Sequence, residues 1–234
     1  MGWLDEALAK CVLTPGIEEY LLGRGAKDET IAGEKCVTWQ KLEEPSPDPV
    51  FRKRYGAFGE DLAGFLICPV WSPKGALIGM EARDPAVKFI SDWRELAAAW
   101  NPFFLGMHRA AEKLWAGGDA WIVEGFFDIC PLEWIVPPSD VVLATVRAKL
   151  SERHIEFLRR FCRGWVHMVY DRDEAGVHGT HGYIDKAGKK HWGALDVLRR
   201  AGLKCRDIPY SGAKDPGEIW DRGGLKALKA AFPI

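Results

Sequence analysis

The sequence predicts an α/β protein in which a parallel-sheet module follows a smaller mixed α+β module, and two observations indicate this. Short apolar strands alternate with helical stretches throughout the second half, which is the order expected of a largely parallel sheet. The first half instead combines helical segments with two apolar runs around a Pro-Gly turn. We place the boundary at residue 117, which gives modules of residues 1–116 and 117–234.

The first module is predicted to begin with helices. Residues 3–22 predict helix with a break near Pro15, because proline suits the first turn of a new helix. Residues 43–50 contain three prolines and predict a surface loop. Residues 64–83 predict a β-hairpin, and residues 92–116 predict one or two helices.

The second module is predicted to contain four apolar strands separated by helices. The strands are expected within the runs AWIV, DVVLATV, WVHMVY and LKCRDIPY (residues 120–123, 140–146, 165–170 and 203–210). Helices are expected at residues 151–162, where Ser151 is the capping residue, and at residues 193–203. Strands that alternate with helices in this way predict one α/β unit.

The composition is ordinary for a soluble globular protein, with 47% apolar and 28% charged residues among 234. The formal net charge is −1, so a nucleic acid would have to bind at a local basic stripe. The six cysteines form no CxxC pair, which argues against a zinc ribbon or a redox motif. We expect a cytoplasmic protein without membrane contact, since neither an export signal nor a bilayer-spanning apolar run is visible.

Acidic residues follow three of the predicted strands. They are, in chain order, Glu124, Asp171, Asp173, Asp215 and Glu218. Ligands of parallel α/β sheets gather at the carboxyl ends of the strands. These side chains are therefore expected to converge on one site, although long stretches of sequence separate them.

The spacing of Asp171 and Asp173 places both carboxylates on one side of an extended segment. Mg²⁺ and Mn²⁺ prefer such oxygen ligands and also bind phosphates, and crowded carboxylates without a cation would repel each other. We therefore expect a divalent metal at Glu124, Asp171 and Asp173, for phosphoryl-transfer chemistry on nucleic acid. An acid after a strand is also commonly a helix N-cap or a solvated turn residue, and this alternative stays open for each one.

Three acidic motifs resemble the TOPRIM domain that bacterial-type primases, topoisomerases and some nucleases share. They are VEGFFD, DRDEAG and KDPGE (residues 123–128, 171–176 and 214–218), and the family patterns are VEGxxD, DGDxAG and KDPDE. The upstream segments YLLGRGAKDETI and FFLGMHRA, with the hairpin at residues 64–83, resemble the RNA-polymerase core of replicative primases. The resemblance covers about residues 17–224, and topoisomerases would not share the upstream segments.

The resemblance implies a DNA primase core that synthesises short RNA primers on single-stranded DNA, by metal-dependent nucleotidyl transfer from ribonucleoside triphosphates. Its catalytic residues would be Glu124, Asp171 and Asp173. More than one Mg²⁺ or Mn²⁺ ion would be held by Glu124, Asp128, Asp171, Asp173, Asp215 and Glu218. Template or nucleotide phosphates would contact Arg24, Arg83, Lys88 and Lys214. The host would be a bacterium or a phage-infected bacterium.

The sequence departs from the primase pattern at several positions. Gly217 replaces an acid of the third motif, which affects a second metal site and leaves Glu218 as the substitute. The family's lysine before the FFLG-like segment has no counterpart, and Arg147 replaces the glycine of an SLGT-like loop. No zinc-binding or helicase-binding domain of the family is found, so a separate zinc-binding protein or a replicative helicase is an expected partner.

An insertion at residues 177–191 interrupts the helix that follows the second motif in the family. It contains His178, His181 and His191, but no cysteine accompanies them, so a polar hairpin is favoured over a metal site. The lysines of this hairpin would be able to follow a nucleic-acid backbone. Two other functions stay open: a TOPRIM-type nuclease with the same metal chemistry, and a non-catalytic primase-like binding protein.

Overall fold

The packing of the chain divides it into two compact units in the computed structural model. The structure describes residues 2–86, 90–94, 103–146 and 148–232. The first unit comprises Met1–Gly23 and Lys27–Ala99, and the second comprises Arg24–Ala26 and Trp100–Ile234.

The first unit combines helices with an antiparallel sheet. Its elements are α1 (Trp3–Lys10), α2 (Pro15–Gly23), α3 (Asp28–Glu34), β1 (Val37–Thr38), α4 (Pro49–Tyr55), a 3₁₀ turn (Glu60–Leu62), β2 (Leu66–Trp71), β3 (Leu77–Arg83) and β4 (Ile90–Arg94). The strands lie in the order β1-β2-β3-β4, and each adjacent pair is antiparallel. Trp39, Phe51 and Met80 are fully buried in the hydrophobic core of this unit.

The hairpin predicted at residues 64–83 and the helix break near Pro15 are confirmed. One prediction for the first unit is wrong in part. Residues 49–50 belong to α4 and not to the loop, because Asp48 caps this helix through a backbone N–H and proline is tolerated at its first position. The prediction that residues 92–116 contain one or two helices is confirmed by a helix at Met107–Trp115, whereas residues 92–94 pair with β3 and residues 95–102 lie outside the described residues.

The second unit is built on the parallel sheet that the sequence predicts. Its elements are α5 (Met107–Trp115), β5 (Ala120–Val123), α6 (Phe126–Leu132), β6 (Val141–Ala144), α7 (Glu152–Phe161), β7 (Val166–Met168), α8 (Glu174–His181), β8 (Gly182–Ile184), β9 (Lys190–Trp192), α9 (Ala194–Arg200), β10 (Cys205–Asp207) and α10 (Pro216–Ala231). The sheet order is β10-β7-β5-β6, and every adjacent pair is parallel. Strands β8 and β9 form a separate two-stranded hairpin, which is the fold predicted for the insertion.

Strands β5 and β6 are neighbours in this sheet and consist of apolar residues. All four residues of β5 and all four of β6 are buried, as expected of parallel strands that are covered on both faces. Leu105 extends the sheet through a bridge to Ala144, and the apolar face of α5 is buried beside it. Residues 103–116 therefore pack with the second unit, and the domain boundary at residue 117 stays a prediction.

Three helices of the second unit, α7, α8 and α10, begin at capping side chains. Ser151 caps α7 as predicted, since its hydroxyl accepts a hydrogen bond from His154 N–H at 3.3 Å. Helix α10 contains a break at Gly223 and Gly224, where the backbone leaves helical geometry. Among the helices that the structure describes, none combines the length and the apolar character needed to cross a bilayer.

Candidate active site

The strand order of the parallel sheet creates a switch point between β5 and β7. From β5 the chain moves outward to β6, whereas from β7 it moves outward to β10 on the other side. In open α/β sheets, ligands bind in the crevice that such a reversal leaves at the carboxyl ends of the strands. Glu124 follows β5 directly and Asp171 follows soon after β7, so both acids lie at this crevice.

Glu124 and Asp171 meet at the switch point. Glu124 Oε1 accepts a hydrogen bond from Asp171 N–H at 3.1 Å, although 47 residues separate the two in sequence. Burial raises the pKa of Glu124 to about 7, and the negative charge of Asp171 adds to this rise. Burial also raises the pKa of Asp171, while Lys214 opposes that rise. The site concentrates negative charge where water is partly excluded.

Asp173 has two partners. Its Oδ1 accepts a hydrogen bond from Gly176 N–H at 2.9 Å, so it is the N-cap of α8. This hydrogen bond is the main reason that the pKa of Asp173 is lowered. Its Oδ2 lies 3.0 Å from Lys214 Nζ. The capping alternative that the sequence left open is therefore observed for Asp173, and one of its oxygens still faces a cation.

Lys214 bridges the two aspartates. Its Nζ lies 3.0 Å from Asp171 Oδ2 and 3.0 Å from Asp173 Oδ2, and these hydrogen bonds, first that with Asp171, raise the pKa of Lys214. The backbone oxygen of Lys214 accepts hydrogen bonds from Tyr210 Oη at 2.8 Å and from Arg172 N–H at 2.7 Å. The fold thus holds the third motif against the second and places an ammonium group between two carboxylates.

Asp128 connects the first motif with the third. Its Oδ2 accepts a hydrogen bond from Gly125 N–H and its Oδ1 accepts one from Gly217 N–H, each at 3.2 Å. Burial raises the pKa of Asp128 well above its usual range. A Cβ atom on Gly217 would lie 2.9 Å from Arg24 Nη2 and 3.2 Å from Phe127 O. The glycine that departs from the family pattern therefore permits a close approach of this loop to α6.

Asp215 and Glu218 find their partners within their own loop and helix. Asp215 Oδ1 accepts a hydrogen bond from Glu218 N–H at 2.6 Å and so caps α10. Glu218 Oε2 accepts one from Lys214 N–H at 3.0 Å, and its Oε1 forms an ion pair with Arg222. The hydrogen bond from Lys214 N–H, with the Arg222 contact, lowers the pKa of Glu218. A metal-binding role of either acid stays a prediction.

Two bacterial DNA primases are similar in sequence to this chain. The primase of Deinococcus radiodurans is 24% identical over 92% of this chain and 39% of its own length. The primase of Aquifex aeolicus is 28% identical over 70% of this chain and 31% of its own length. The chain therefore spans less than two fifths of the length of these relatives. No family model matches the chain.

Solved structures of primase cores superpose on nearly the whole chain. The RNA polymerase domain of Mycobacterium tuberculosis primase DnaG has a TM-score of 0.64 at 18% identity, and the match covers 99% of this chain and 84% of that one. A DnaG primase catalytic domain bound to ssDNA also has a TM-score of 0.64, at 20% identity, over 98% of this chain and 77% of that one. This chain has the fold of the DnaG catalytic core. The predicted resemblance to primases and the predicted fold class are confirmed.

The basic residues that the sequence assigns to phosphate binding belong to different units of the fold. In the second unit, the Arg24 guanidinium forms an ion pair with Asp221 and lies 5.2 Å from the centroid of the Phe127 ring. In the first unit, Arg83 is the last residue of β3. Lys88 lies outside the residues that the structure describes. The phosphate-binding roles of these residues stay predictions.

Arg172 is a site residue that sequence reasoning missed. It donates hydrogen bonds to Asp207 at 3.1 and 3.2 Å, and a further one to Ile208 O. Asp207 Oδ2 also lies 3.3 Å from His181 Nε2, at the end of α8. Arg172 therefore ties the second motif to the end of strand β10. Two features of the sequence could have predicted this contact. Arg172 lies between Asp171 and Asp173, and Asp207 is the last residue of β10.

The carboxylates of this site suit a hard cation by their donor chemistry. Glu124, Asp171 and Asp173 offer only carboxylate oxygens, the ligands that Mg²⁺ and Mn²⁺ prefer. Burial, and after it the negative charge of Asp171, raises the pKa of Glu124, so a cation here would offset unfavourable negative charge. Within the described ranges, no group of three or more His, Cys, Asp and Glu side chains is already arranged around a metal position. Lys214 supplies the positive charge between the aspartates in this structure.

Proposed function

We propose that this chain is the catalytic core of a DNA primase, which joins ribonucleotides into short primers on a single-stranded DNA template. The observation that carries the proposal is the meeting of Glu124 and Asp171 at the switch point of a primase-core fold, where the pKa of Glu124 rises to about 7. Crowded carboxylates of this kind favour a bound cation and, with it, phosphate. Its bacterial relatives support the cytoplasm of a bacterial or phage-infected cell as the location.

The chain's own residues prepare this site by positioning and electrostatics, so no covalent protein nucleophile is required. The Asp171 N–H orients the Glu124 carboxylate, and the Gly176 N–H orients the Asp173 carboxylate. Glu124, Asp171 and Asp173 would hold one or more Mg²⁺ or Mn²⁺ ions, which stabilise the charge that develops on a reacting triphosphate.

Lys214 has a second role in this proposal. Its side chain is 49% exposed, and its ammonium group contacts two carboxylates that a divalent ion would also neutralise. When those carboxylates are neutralised in another way, the ammonium group is free to turn toward substrate phosphates. Lys214 therefore supplies a positive charge beside the triphosphate, in agreement with the phosphate-binding role that its motif implies.

A primer-synthesis assay tests this function. The purified chain is incubated with single-stranded DNA, ribonucleoside triphosphates and Mg²⁺ or Mn²⁺, with and without a separate zinc-binding protein or a replicative helicase. Short RNA products are expected that require template and divalent ion, and that disappear in Asp171→Ala. An exposed-lysine variant on α10, Lys226→Ala, should behave as the wild type.

The two alternative functions predict different products in the same assay. Metal-dependent breakdown of the template without RNA synthesis would identify a TOPRIM-type nuclease. Template binding without either reaction, under every partner and metal condition, would identify a non-catalytic binding protein. Either outcome would overturn the proposal.

A further inference from the structure

One segment of the second unit carries an excess of positive charge. Residues 177–206 contain seven Lys and Arg residues but only two Asp and no Glu, while the whole chain has a net charge of −1. At the centre of this segment is the insertion hairpin, which we define as Gly182–Trp192. Because polyanions respond to local rather than net charge, this segment is a candidate binding surface.

The insertion hairpin has an ordered turn. Asp185 Oδ1 accepts hydrogen bonds from Ala187 N–H and Lys189 N–H, each at 2.9 Å. Gly188 adopts the left-handed conformation that the turn requires, with φ of 77°. Asp185 Oδ2 lies 2.9 Å from His191 Nε2. The acid of the hairpin is thus occupied within the turn, and the hairpin presents its lysines from a defined backbone.

One face of the insertion hairpin packs on helix α8. Tyr183 lies between two histidine rings, with centroid distances of 4.5 Å to His178 and 4.5 Å to His191. The interplanar angles of 21° and 7° show that the three rings are stacked. The histidines of the insertion therefore orient the hairpin, and the opposite face is directed away from this stack.

The opposite face combines cations with exposed apolar surface. Ile184, Lys190 and Trp192 share this face, because alternate residues of a strand point to opposite sides and Ile184 pairs with Lys190 across the hairpin. Ile184 is 70% exposed and Trp192 is 47% exposed. Lys190 Nζ and Arg200 Cζ lie 3.9 and 3.5 Å from the Trp192 ring centroid. Cations beside an exposed indole are the combination that binds phosphates and unpaired bases.

Two further ammonium groups at the hairpin turn are available to a ligand. Lys186 and Lys189 are exposed, and neither side chain has an ion-pair partner among the residues that the structure describes. Besides its contact with Trp192, Lys190 has a long ion-pair contact with Asp196, at 3.9 Å. Charges without internal partners are the ones that release counterions when a nucleic acid binds.

Helix α8 connects this surface to the carboxylates. It begins after its N-cap Asp173 and ends at His181, where the hairpin starts. Eight helical residues span about 12 Å, which is a distance of a few nucleotides. A single strand whose end lies at the carboxylates would pass the insertion hairpin within a few nucleotides.

We propose that the insertion hairpin binds the sugar–phosphate backbone of a single-stranded nucleic acid. Lys186, Lys189 and Lys190 contact phosphates without regard to sequence, and Trp192 with Arg200 offers an aromatic and cationic platform for a base. The inference rests on the proposed function only for the position of this strand relative to the carboxylates. The binding itself requires neither catalysis nor a divalent ion.

Two charge-matched variants test the inference. Lys186→Glu/Lys189→Glu changes the hairpin, and Lys226→Glu/Lys229→Glu makes the same net change at exposed positions of α10. Binding of a fluorescent oligo(dT) 20-mer is measured by anisotropy against salt concentration in EDTA. The hairpin variant should bind about tenfold more weakly at low salt and lower the salt slope by about 1.4, since each lost contact removes about 0.7. The α10 variant should stay within about twofold of wild type.

Several outcomes would overturn the inference. An equal loss in both variants would show an effect of net charge alone, and unchanged DNA binding in the hairpin variant would exclude the surface. Hairpin-dependent binding to anionic phosphatidylserine vesicles, with unchanged DNA binding, would identify a membrane contact instead. Primer synthesis with unchanged DNA binding would remove this inference alone, and hairpin-dependent binding without synthesis under any condition would remove the proposed function alone.

Discussion

Two groups of carboxylates follow strands of the same parallel sheet, but their side chains have different hydrogen-bond and ion-pair partners. Glu124 and Asp171 meet through one backbone hydrogen bond, and burial raises the pKa of both. Asp215 and Glu218 lie in a loop and a helix start, where backbone N–H groups and Arg222 satisfy them. An acid that follows a strand can therefore be engaged by the N–H groups at a helix start or by a neighbouring arginine.

Asp173 lies between these two cases. It caps α8 through one oxygen and faces Lys214 with the other. A capping aspartate is thus able to keep a free oxygen for a cation, whereas Glu218 has both of its oxygens engaged. The difference between Asp173 and Glu218 lies in the second oxygen, which contacts Lys214 in Asp173 and Arg222 in Glu218.

Glu124→Gln should give the largest effect, because it keeps the shape of the side chain and removes its charge. Primer synthesis should fall at least about 100-fold, or about 2.7 kcal/mol, with an unchanged circular dichroism spectrum. The same change in the other group, Glu218→Gln, should keep activity within about threefold, because Arg222 already pairs with that carboxylate. Equal losses in both variants would break the distinction between the groups.

Gly176→Ala should distort the site through the backbone. A Cβ atom at this position would lie 2.1 Å from Asp171 O and 2.8 Å from Glu124 Oε1. We expect a loss of about 2–3 kcal/mol in the free energy of unfolding, measured with urea, together with weaker Mn²⁺ binding. Gly16→Ala in α2 is the control, since a Cβ there meets no atom within 4 Å and should cost nothing. Wild-type stability of Gly176→Ala would refute the close approach.

Arg83→Ala tests a residue that belongs to neither group of carboxylates, because Arg83 lies in the first unit. Loss of one guanidinium–phosphate contact should weaken nucleotide or template use by about 1.5–3 kcal/mol. Mn²⁺ affinity, measured by calorimetry, should hardly change, and the exposed Lys53→Ala on α4 should have neither effect. A collapse of metal affinity that primer yield merely follows would contradict this separation of roles.

The metal-free protein should lose stability as the pH rises from the unfolded-state pKa of Glu124 to its folded-state pKa. The folded protein keeps this proton up to about pH 7, whereas the unfolded chain releases it near 4.5, so between these values the folded state holds more protons. The contribution of Glu124 to the free energy of unfolding is fully present below about pH 4.5. It falls by on the order of 1–2 kcal/mol toward pH 8, after allowance for partial solvent screening. Denaturation in EDTA at pH 5 and pH 8 should show a smaller fall in Glu124→Gln than in wild type. Identical falls would remove Glu124 as the cause.

Lys214→Met should have the smallest effect of these changes, and it should strengthen Mn²⁺ binding instead of weakening it. Without the ammonium group between Asp171 and Asp173, Mn²⁺ affinity should rise about fivefold to tenfold, or about 1–1.4 kcal/mol. Primer synthesis should nevertheless fall, because the cation beside the triphosphate is lost. Calorimetry of Lys214→Met against Lys226→Met separates the local effect from a change in net charge. A lower Mn²⁺ affinity in Lys214→Met would show that the lysine supports the metal site instead of competing with it.

The sequence was informative for the second unit because local signals agree there. Strands β5 and β6 are unbroken apolar runs, and Ser151 caps α7 at the position expected. Strand β4 was not predictable in the same way, because Ile90–Arg94 contains charged residues and lies in a stretch with helix-like composition. Its strand character comes from pairing with β3, which is a tertiary effect.

The motifs predicted that Glu124 and Asp171 would come together, and the observed hydrogen bond joins them. The motifs did not reveal the partners of the other charged groups. The Lys214 bridge depends on where the loop after β10 lies, and the Asp128–Gly217 bond joins residues 89 positions apart. Contacts of this kind arise from the packing of three loops, which no short-range pattern encodes.

The segment Arg24–Ala26 belongs to the second unit, although the residues on both sides of it belong to the first. Its Gly25 O accepts a hydrogen bond from Trp134 Nε1–H at 2.8 Å, and Arg24 pairs with Asp221, which is 197 residues later in the chain. Closing so large a loop is costly in entropy and slows folding. During synthesis, residues 24–26 leave the ribosome early, but the ion pair of Arg24 cannot form until α10 has been synthesised. We therefore expect the nascent second unit to remain incomplete, and exposed to aggregation or chaperone binding, until residue 221 has emerged.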